Sequence, residues 1–138
     1  MEEYKGVWTI AEARDGEIKS VSYELLTRGK KLSAKLGDEL VSVLICDKVS
    51  EKAAEELILR GADKVYLICA PELENFIVEN YSNVLIDLID RFKPSIILSA
   101  ATTMGRTLMP HVAIRKQGGL TADCTELDIE EDTGNLLQ

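Results

Sequence analysis

Apolar residues recur at two different spacings along this chain of 138 residues. Short runs rich in β-branched and aromatic residues predict four strands: Gly6-Val-Trp-Thr-Ile-Ala11, Leu40-Val-Ser-Val-Leu-Ile45, Val65-Tyr-Leu-Ile68 and Ser95-Ile-Ile-Leu-Ser99. The second is apolar nearly throughout, which suits a strand covered on both faces. Helical stripes fill the intervals. Val21, Leu25, Leu32 and Leu36 predict a helix capped by Ser20 and stopped by Gly37. Ser50 and Glu51 open a shorter helix with Ala54, Leu57 and Ile58 facing inward and Gly61 at its end. Pro71 breaks the chain, and residues 72–79 read as a helical turn or loop. Tyr81, Val84, Leu85, Leu88, Ile89 and Phe92 form the clearest stripe, ended by Pro94, because the residue before a proline is pushed out of the α region. Leu108, Met109, Val112 and Ala113 mark a last helix that fades at Gly118-Gly119. With its cap at Thr107 or just before, Pro110 falls in or beside the first turn, where a missing donor costs little.

Strands alternating with helices imply right-handed crossovers and a mainly parallel sheet with helices on both faces, a three-layer α/β/α fold. After Thr121 the pattern changes. Cys124-Thr-Glu-Leu-Asp-Ile129 alternates, Glu130-Glu-Asp-Thr-Gly134 offers a turn, and Asn135-Leu-Leu-Gln138 begins a return strand. A C-terminal β-hairpin that breaks off in this way leads us to expect a longer parent protein. Residues 1–138 read as a single domain: the length suits one, and 46% hydrophobic with 29% charged residues is an ordinary globular balance.

Charge narrows the function classes. The net charge of −8 repels a phosphate backbone unless cations gather on one face. The densest basic group, Arg28, Lys30, Lys31 and Lys35, falls on helix positions that read as a solvated face, so nucleic acid is not an expected partner. No apolar run approaches the ~20 residues that cross a bilayer, and residues 1–5 lack the basic and apolar regions of a secretory signal; membrane insertion is not expected and the cytoplasm is the default. Cys46, Cys69 and Cys124 show neither a Cys-x-x-Cys pair nor nearby histidines, so they read as small buried hydrophobes and not as a zinc site or disulfide framework. The single histidine, His111, has no matching Ser, Cys or Asp pattern, and no catalytic or metal-ligating residues are assigned. Asp128, Glu130, Glu131 and Asp132 do not match calcium-loop spacing.

Two stretches carry candidate chemistry. Ligands of open parallel sheets bind beyond the carboxyl ends of strands, beside helix N-termini. The fourth strand runs into Ala100-Ala-Thr-Thr-Met-Gly-Arg-Thr107, where Thr102, Thr103, Gly105 and Arg106 bring two hydroxyls, a glycine and a cation to a helix start. Ordinary capping plus an arginine ion pair explains the same residues as well as anion binding does. The glycine-rich phosphate motifs are missing. In the second stretch, Gly118-Gly-Leu-Thr-Ala-Asp-Cys124, residues Leu120, Thr121, Ala122 and Asp123 place polar groups at a strand edge, or simply form a helix-terminating loop.

Both stretches belong to a wider likeness. Gly6-Val-Trp-Thr-Ile-Ala-Glu12 with the Asp15-Gly16 turn, Ser22-Tyr-Glu-Leu-Leu26, Gly61-Ala-Asp-Lys-Val-Tyr66, Pro94-Ser-Ile-Ile-Leu98, Ala101-Thr-Thr-Met-Gly-Arg106 with Pro110, and Gly119-Leu-Thr-Ala-Asp-Cys-Thr125 occur in this order. Together they make the chain resemble the N-terminal domain of the electron-transfer flavoprotein alpha subunit over essentially its whole length. The resemblance implies an adenine-nucleotide α-hydrolase-like fold. It also implies an alpha–beta heterodimer that ferries electrons from dehydrogenases to quinone reductases or other acceptors through FAD. By the same resemblance the FAD is held mainly by a separate C-terminal domain beyond Gln138, so no cofactor is expected within these residues. Thr102, Thr103, Gly105 and Arg106 align with the family's strand-end loop, and Leu120, Thr121, Ala122 and Asp123 with its second signature; both are expected to contact the rest of the complex.

Two other classes compete. A stand-alone AMP- or ATP-binding module of the universal-stress-protein type needs a glycine-spaced phosphate loop before the last helix, where only Gly105 stands. An ATP pyrophosphatase needs a Ser-Gly-Gly loop after the first strand, where this chain has Ala11-Glu-Ala-Arg14.

Overall fold

The computed structural model describes residues 5–14 and 16–115. Strands β1 (Val7–Ala11), β4 (Leu40–Cys46), β5 (Lys64–Cys69) and β6 (Ile96–Leu98) form one sheet in the order β5-β4-β1-β6, every pair parallel. The connections from β1 to β4 and from β4 to β5 step one way, and the connection from β5 to β6 returns across β1 to the opposite edge. Crossovers of one hand then require helices on opposite faces. The packing obeys this: α1 (Ser20–Leu36) and α2 (Glu51–Leu59) share a core with Val7, Ala11, Leu40, Leu44 and Leu98. On the other face α3 (Val78–Phe92) and α4 (Thr103–Arg115) pack on Trp8, Ile10, Val41, Val43, Ile45 and Ile97. The expected three-layer α/β/α arrangement is thus present, and the central strands β1 and β4 are buried along their whole length, Thr9 and Ser42 included, as the nearly continuous apolar run of β4 predicts.

Several local expectations change. Ser20 is the first helical residue, not the cap; Lys19 holds the extended cap position and its side chain makes no capping bond to the helix. The entry into α1 is instead tied to the end of β1, where the Lys19 N–H donates to the Glu12 carbonyl at 2.8 Å. The buried stripe of α1 runs through Ser22, Leu25, Leu26, Gly29, Leu32 and Ser33, so Val21 is half-buried and Leu36 is exposed. Small residues set that face, because a Cβ on Gly29 would lie 2.8 Å from Thr9 Cγ2, and the helix lies this close to β1 only without one. Ile58 and Phe92, both placed on inward stripes, are exposed; Phe92 nevertheless stacks on Tyr66 at 4.6 Å, and Tyr66 meets Trp8 edge-on at 5.5 Å.

Pro110 is interior to α4 and not in its first turn, since the helix starts at Thr103. Its ring is exposed, so the missing donor falls on the solvent side. A short antiparallel ladder, β2 (Ala13–Arg14) with β3 (Glu17–Ile18), stands where only a turn was expected, and the segment 72–79 runs from within a 3₁₀ turn, Pro71–Leu73, into the first two residues of α3. The expected C-terminal hairpin, the end of the last helix and the stretch Leu120–Asp123 lie outside the described residues.

Candidate functional site

The chain leaves β1 toward one side of the sheet and reaches β6 from the other, so the crevice beyond the carboxyl ends of β1 and β6 is the topological switch point. What fills it is Glu12. This residue follows β1 directly and is only 4% exposed. All four of its polar positions are engaged. Its N–H donates to Ser22 Oγ at 2.8 Å, and its carbonyl accepts from Ser22 Oγ at 3.2 Å and from Lys19 N–H. Carboxylate oxygen Oε1 takes Lys19 Nζ at 3.3 Å, and Oε2 accepts the Thr102 hydroxyl at 2.6 Å. A buried carboxylate is costly unless charge and donors surround it, and here one cation and one short hydroxyl bond do so.

Thr102 joins that carboxylate to α4. The same Oγ1 that donates to Glu12 accepts the Gly105 N–H at 3.1 Å, as an N-cap side chain does, and the Thr102 carbonyl accepts from Arg106 N–H at 2.9 Å. Helix α4 therefore points its positive end, through one hydroxyl, at an internal carboxylate. Gly105 is a steric requirement: a Cβ there would sit 2.2 Å from the Ala100 carbonyl oxygen. This glycine is consumed by contact with the strand-end backbone and does not serve approach to a phosphate.

The four residues expected in the strand-end loop therefore divide. Thr102 and Gly105 turn inward to build the latch. Thr103 and Arg106 are exposed, Thr103 accepting from Thr107 Oγ1 through its carbonyl at 2.8 Å. Among the described residues Arg106 has no carboxylate partner, so the ion pair weighed against anion binding is not formed there. Glu12 and Lys19 were missed as site residues. A usable signal existed: a carboxylate placed directly after a strand run of mostly apolar and β-branched residues ends up at the carboxyl edge of a buried strand, where it must find a partner.

A second feature lies one strand over. A cavity of about 260 Å3 opens beyond the end of β4, lined among others by Arg14, Cys46, Asp47, Lys48, Glu74 and Tyr81. Two cations face two carboxylates there, so its charges are internally balanced. The Tyr81 hydroxyl donates to the Leu73 carbonyl at 2.7 Å, and burial raises its pKa. Burial first, then the hydrogen bond with Cys69, pushes the Cys46 thiol up to about 12. The cavity is smaller than the ~300–1,000 Å3 usual for ligand pockets, and its balanced lining offers no surplus cation to the phosphates of a flavin dinucleotide.

The cysteine expectation holds for Cys46, which is buried, and fails for Cys69, which is exposed. Edge strand β5 has a neighbour on one side only, so its end is not covered. Among the described residues no group of three or more metal-ligating side chains gathers, and no helix is long and apolar enough to cross a membrane. The acidic cluster at 128–132 lies outside the described residues.

Comparison with known proteins bears on all of these residues at once. The electron transfer flavoprotein subunit alpha of Clostridium acetobutylicum is 46% identical over 135 residues, 98% of this chain and 40% of that protein. The subunit LctC of the lactate dehydrogenase (NAD(+),ferredoxin) of Acetobacterium woodii is 42% identical, again over 98% of this chain but 32% of its own length. The acryloyl-CoA reductase electron transfer subunit beta of Anaerotignum propionicum is 41% identical over 92% of this chain and 34% of its own. The chain thus spans about two fifths or less of the length of these curated relatives. The family model of the electron transfer flavoprotein domain matches residues 7–138, from the first residue of β1 onward, and the chain belongs to that family.

Proposed function

We propose that this chain is the N-terminal docking domain of an electron-transfer flavoprotein alpha subunit. It pairs with a beta subunit in a complex that passes electrons between dehydrogenases and acceptors through FAD. The observation that carries the docking role is the internal carboxylate at the switch point. In open α/β sheets that crevice is where an anionic ligand meets a helix N-terminus, and here Glu12 and Thr102 take that place, leaving Thr103 and Arg106 on the outside. The domain contributes a rigid platform and a surface, and no residue in it acts as a catalyst. FAD belongs to a C-terminal domain beyond Gln138, a reading supported by the ~260 Å3 volume of the carboxyl-edge cavity and by the share of the relatives that the chain leaves uncovered. Other expectations carried forward are assembly without nucleic acid or membrane insertion, and a cytoplasmic site of action.

Within this reading Arg106 and Thr103, together with Leu120, Thr121, Ala122 and Asp123, contact the remainder of the complex. The test replaces Arg106 and Asp123 with alanine in the full heterodimer. Weaker subunit association or slower electron transfer is expected, and unchanged assembly with unchanged transfer would refute the assignment. Titration calorimetry of the same complex and of its beta subunit alone with AMP separates docking from nucleotide binding: additional AMP sites contributed by this chain would overturn the docking role.

A further inference from the structure

Cys46 and Cys69 are 23 positions apart in sequence, and only the sheet brings them together. They are register partners at the ends of the parallel strands β4 and β5, so both side chains project from the same face. Their Sγ atoms lie 3.7 Å apart. Neighbouring strands run about 4.8 Å apart. That places the two α-carbons within the roughly 4.4–6.8 Å over which a disulfide closes. The two thiols differ in access: Cys69 is exposed on the edge strand, whereas Cys46 is 5% exposed and lines the carboxyl-edge cavity.

We propose that Cys46 and Cys69 form a thiol–disulfide exchange site that closes to an intramolecular disulfide on reaction with a low-molecular-weight disulfide. Cys69, as its thiolate, attacks one sulfur of the small disulfide, giving a mixed disulfide on Cys69 and expelling one small thiolate. Cys46 then attacks the Cys69 sulfur; the S–S bond to the small thiol breaks, the Cys46–Cys69 bond forms, and the Cys46 proton leaves with the second small thiol. Two protein thiols lose two electrons and two protons, and one small disulfide is reduced to two thiols. The order follows from access, since an external disulfide reaches the exposed sulfur first.

Burial keeps the Cys46 thiol protonated, with a pKa of about 12. This makes it inert toward dilute external reagents without preventing the second step. The small thiolate fraction that burial leaves is offset by placement, because well-oriented intramolecular attack reaches effective concentrations on the order of 10⁵ M. High basicity also makes the thiolate that does form a better nucleophile. The closed bond would pin edge strand β5 to β4 beside the cavity.

The experiment uses the full alpha subunit in its complex, reduced, freed of reductant and exposed to glutathione disulfide. After acid quenching and alkylation, non-reducing peptide mapping follows Cys46 and Cys69 separately from every other cysteine. The wild type should lose nearly all alkylable thiol at both positions and yield one Cys46–Cys69 linked peptide. Cys46→Ser should instead accumulate glutathione on Cys69, and Cys69→Ser should leave Cys46 fully alkylable. Recovery of both wild-type cysteines as alkylated thiols overturns the proposal, as does a glutathione adduct that persists on wild-type Cys69 while Cys46 stays free.

Discussion

Removing the Thr102 hydroxyl tests the latch most directly, because one oxygen serves two elements. In Thr102→Val the Glu12 carboxylate loses the donor now 2.6 Å away, and the Gly105 N–H loses its acceptor at 3.1 Å. A hydrogen bond to a charged group contributes about 1.5–3 kcal/mol, and an N-cap side chain about 1. The sum, roughly 2.5–4 kcal/mol, is an upper value, because Thr102 is only partly buried and water can reach part of the gap. We therefore expect a loss of about 2–3 kcal/mol. Thr102→Ser, which keeps the hydroxyl, should stay within about 1 kcal/mol of wild type. Trp8, the single tryptophan, is 2% exposed in the core on the α3/α4 face, so urea unfolding followed by its fluorescence reports the equilibrium. A cycle with Glu12→Gln isolates the pair: coupling on the order of 1 kcal/mol is expected, since neighbours in one network are not additive. If Thr102→Val unfolds at the wild-type urea midpoint, the carboxylate–helix latch has no energetic reality.

Two further expectations concern backbone approach and pH. Gly105→Ala places a methyl group against the Ala100 carbonyl and should cost about 2–3 kcal/mol by overpacking. By contrast Gly37→Ala meets nothing within 4 Å and should cost only the ~1 kcal/mol of its left-handed cap conformation, φ 70°; equal urea midpoints for the two variants would contradict the steric account. Cys46 has a folded-state pKa raised from 9.0 to about 12, so its contribution to stability is complete below pH 9 and is lost as pH climbs toward 12. Tyr81, also raised, acts in the same direction. Cys46→Ala should flatten the fall in stability above pH 9, and an unaltered slope would show that the thiol does not titrate as its burial dictates.

Much of the layer structure is legible in residue spacing alone. The runs Val7–Ala11 and Leu40–Cys46 are apolar on both alternating faces, and such strands survive only between two helical layers. The stripe Tyr81, Leu85, Leu88 and Ile89 fixes the inward face of α3 because helical period and burial coincide there. Where small residues line the interface, the pattern misleads. Leu36 belongs to the apparent stripe of α1 yet is 38% exposed, because Ser22, Gly29 and Ser33 set the contact face through close approach and not through hydrophobicity.

The candidate site divides along the same line. Thr102, Gly105 and Arg106 are visible as a strand-end loop because a helix start after a buried strand has a composition of its own. Their roles are not visible. Thr102 finds Glu12 across 90 positions, Gly105 owes its identity to a carbonyl five residues back in a folded turn, and Cys46 meets Cys69 through strand register. Sequence periodicity encodes which face of each element is buried, since burial follows the local spacing of apolar side chains. Which polar atoms meet is decided by strand order and crossover direction. Those are properties of the assembled sheet, and no local window of residues contains them.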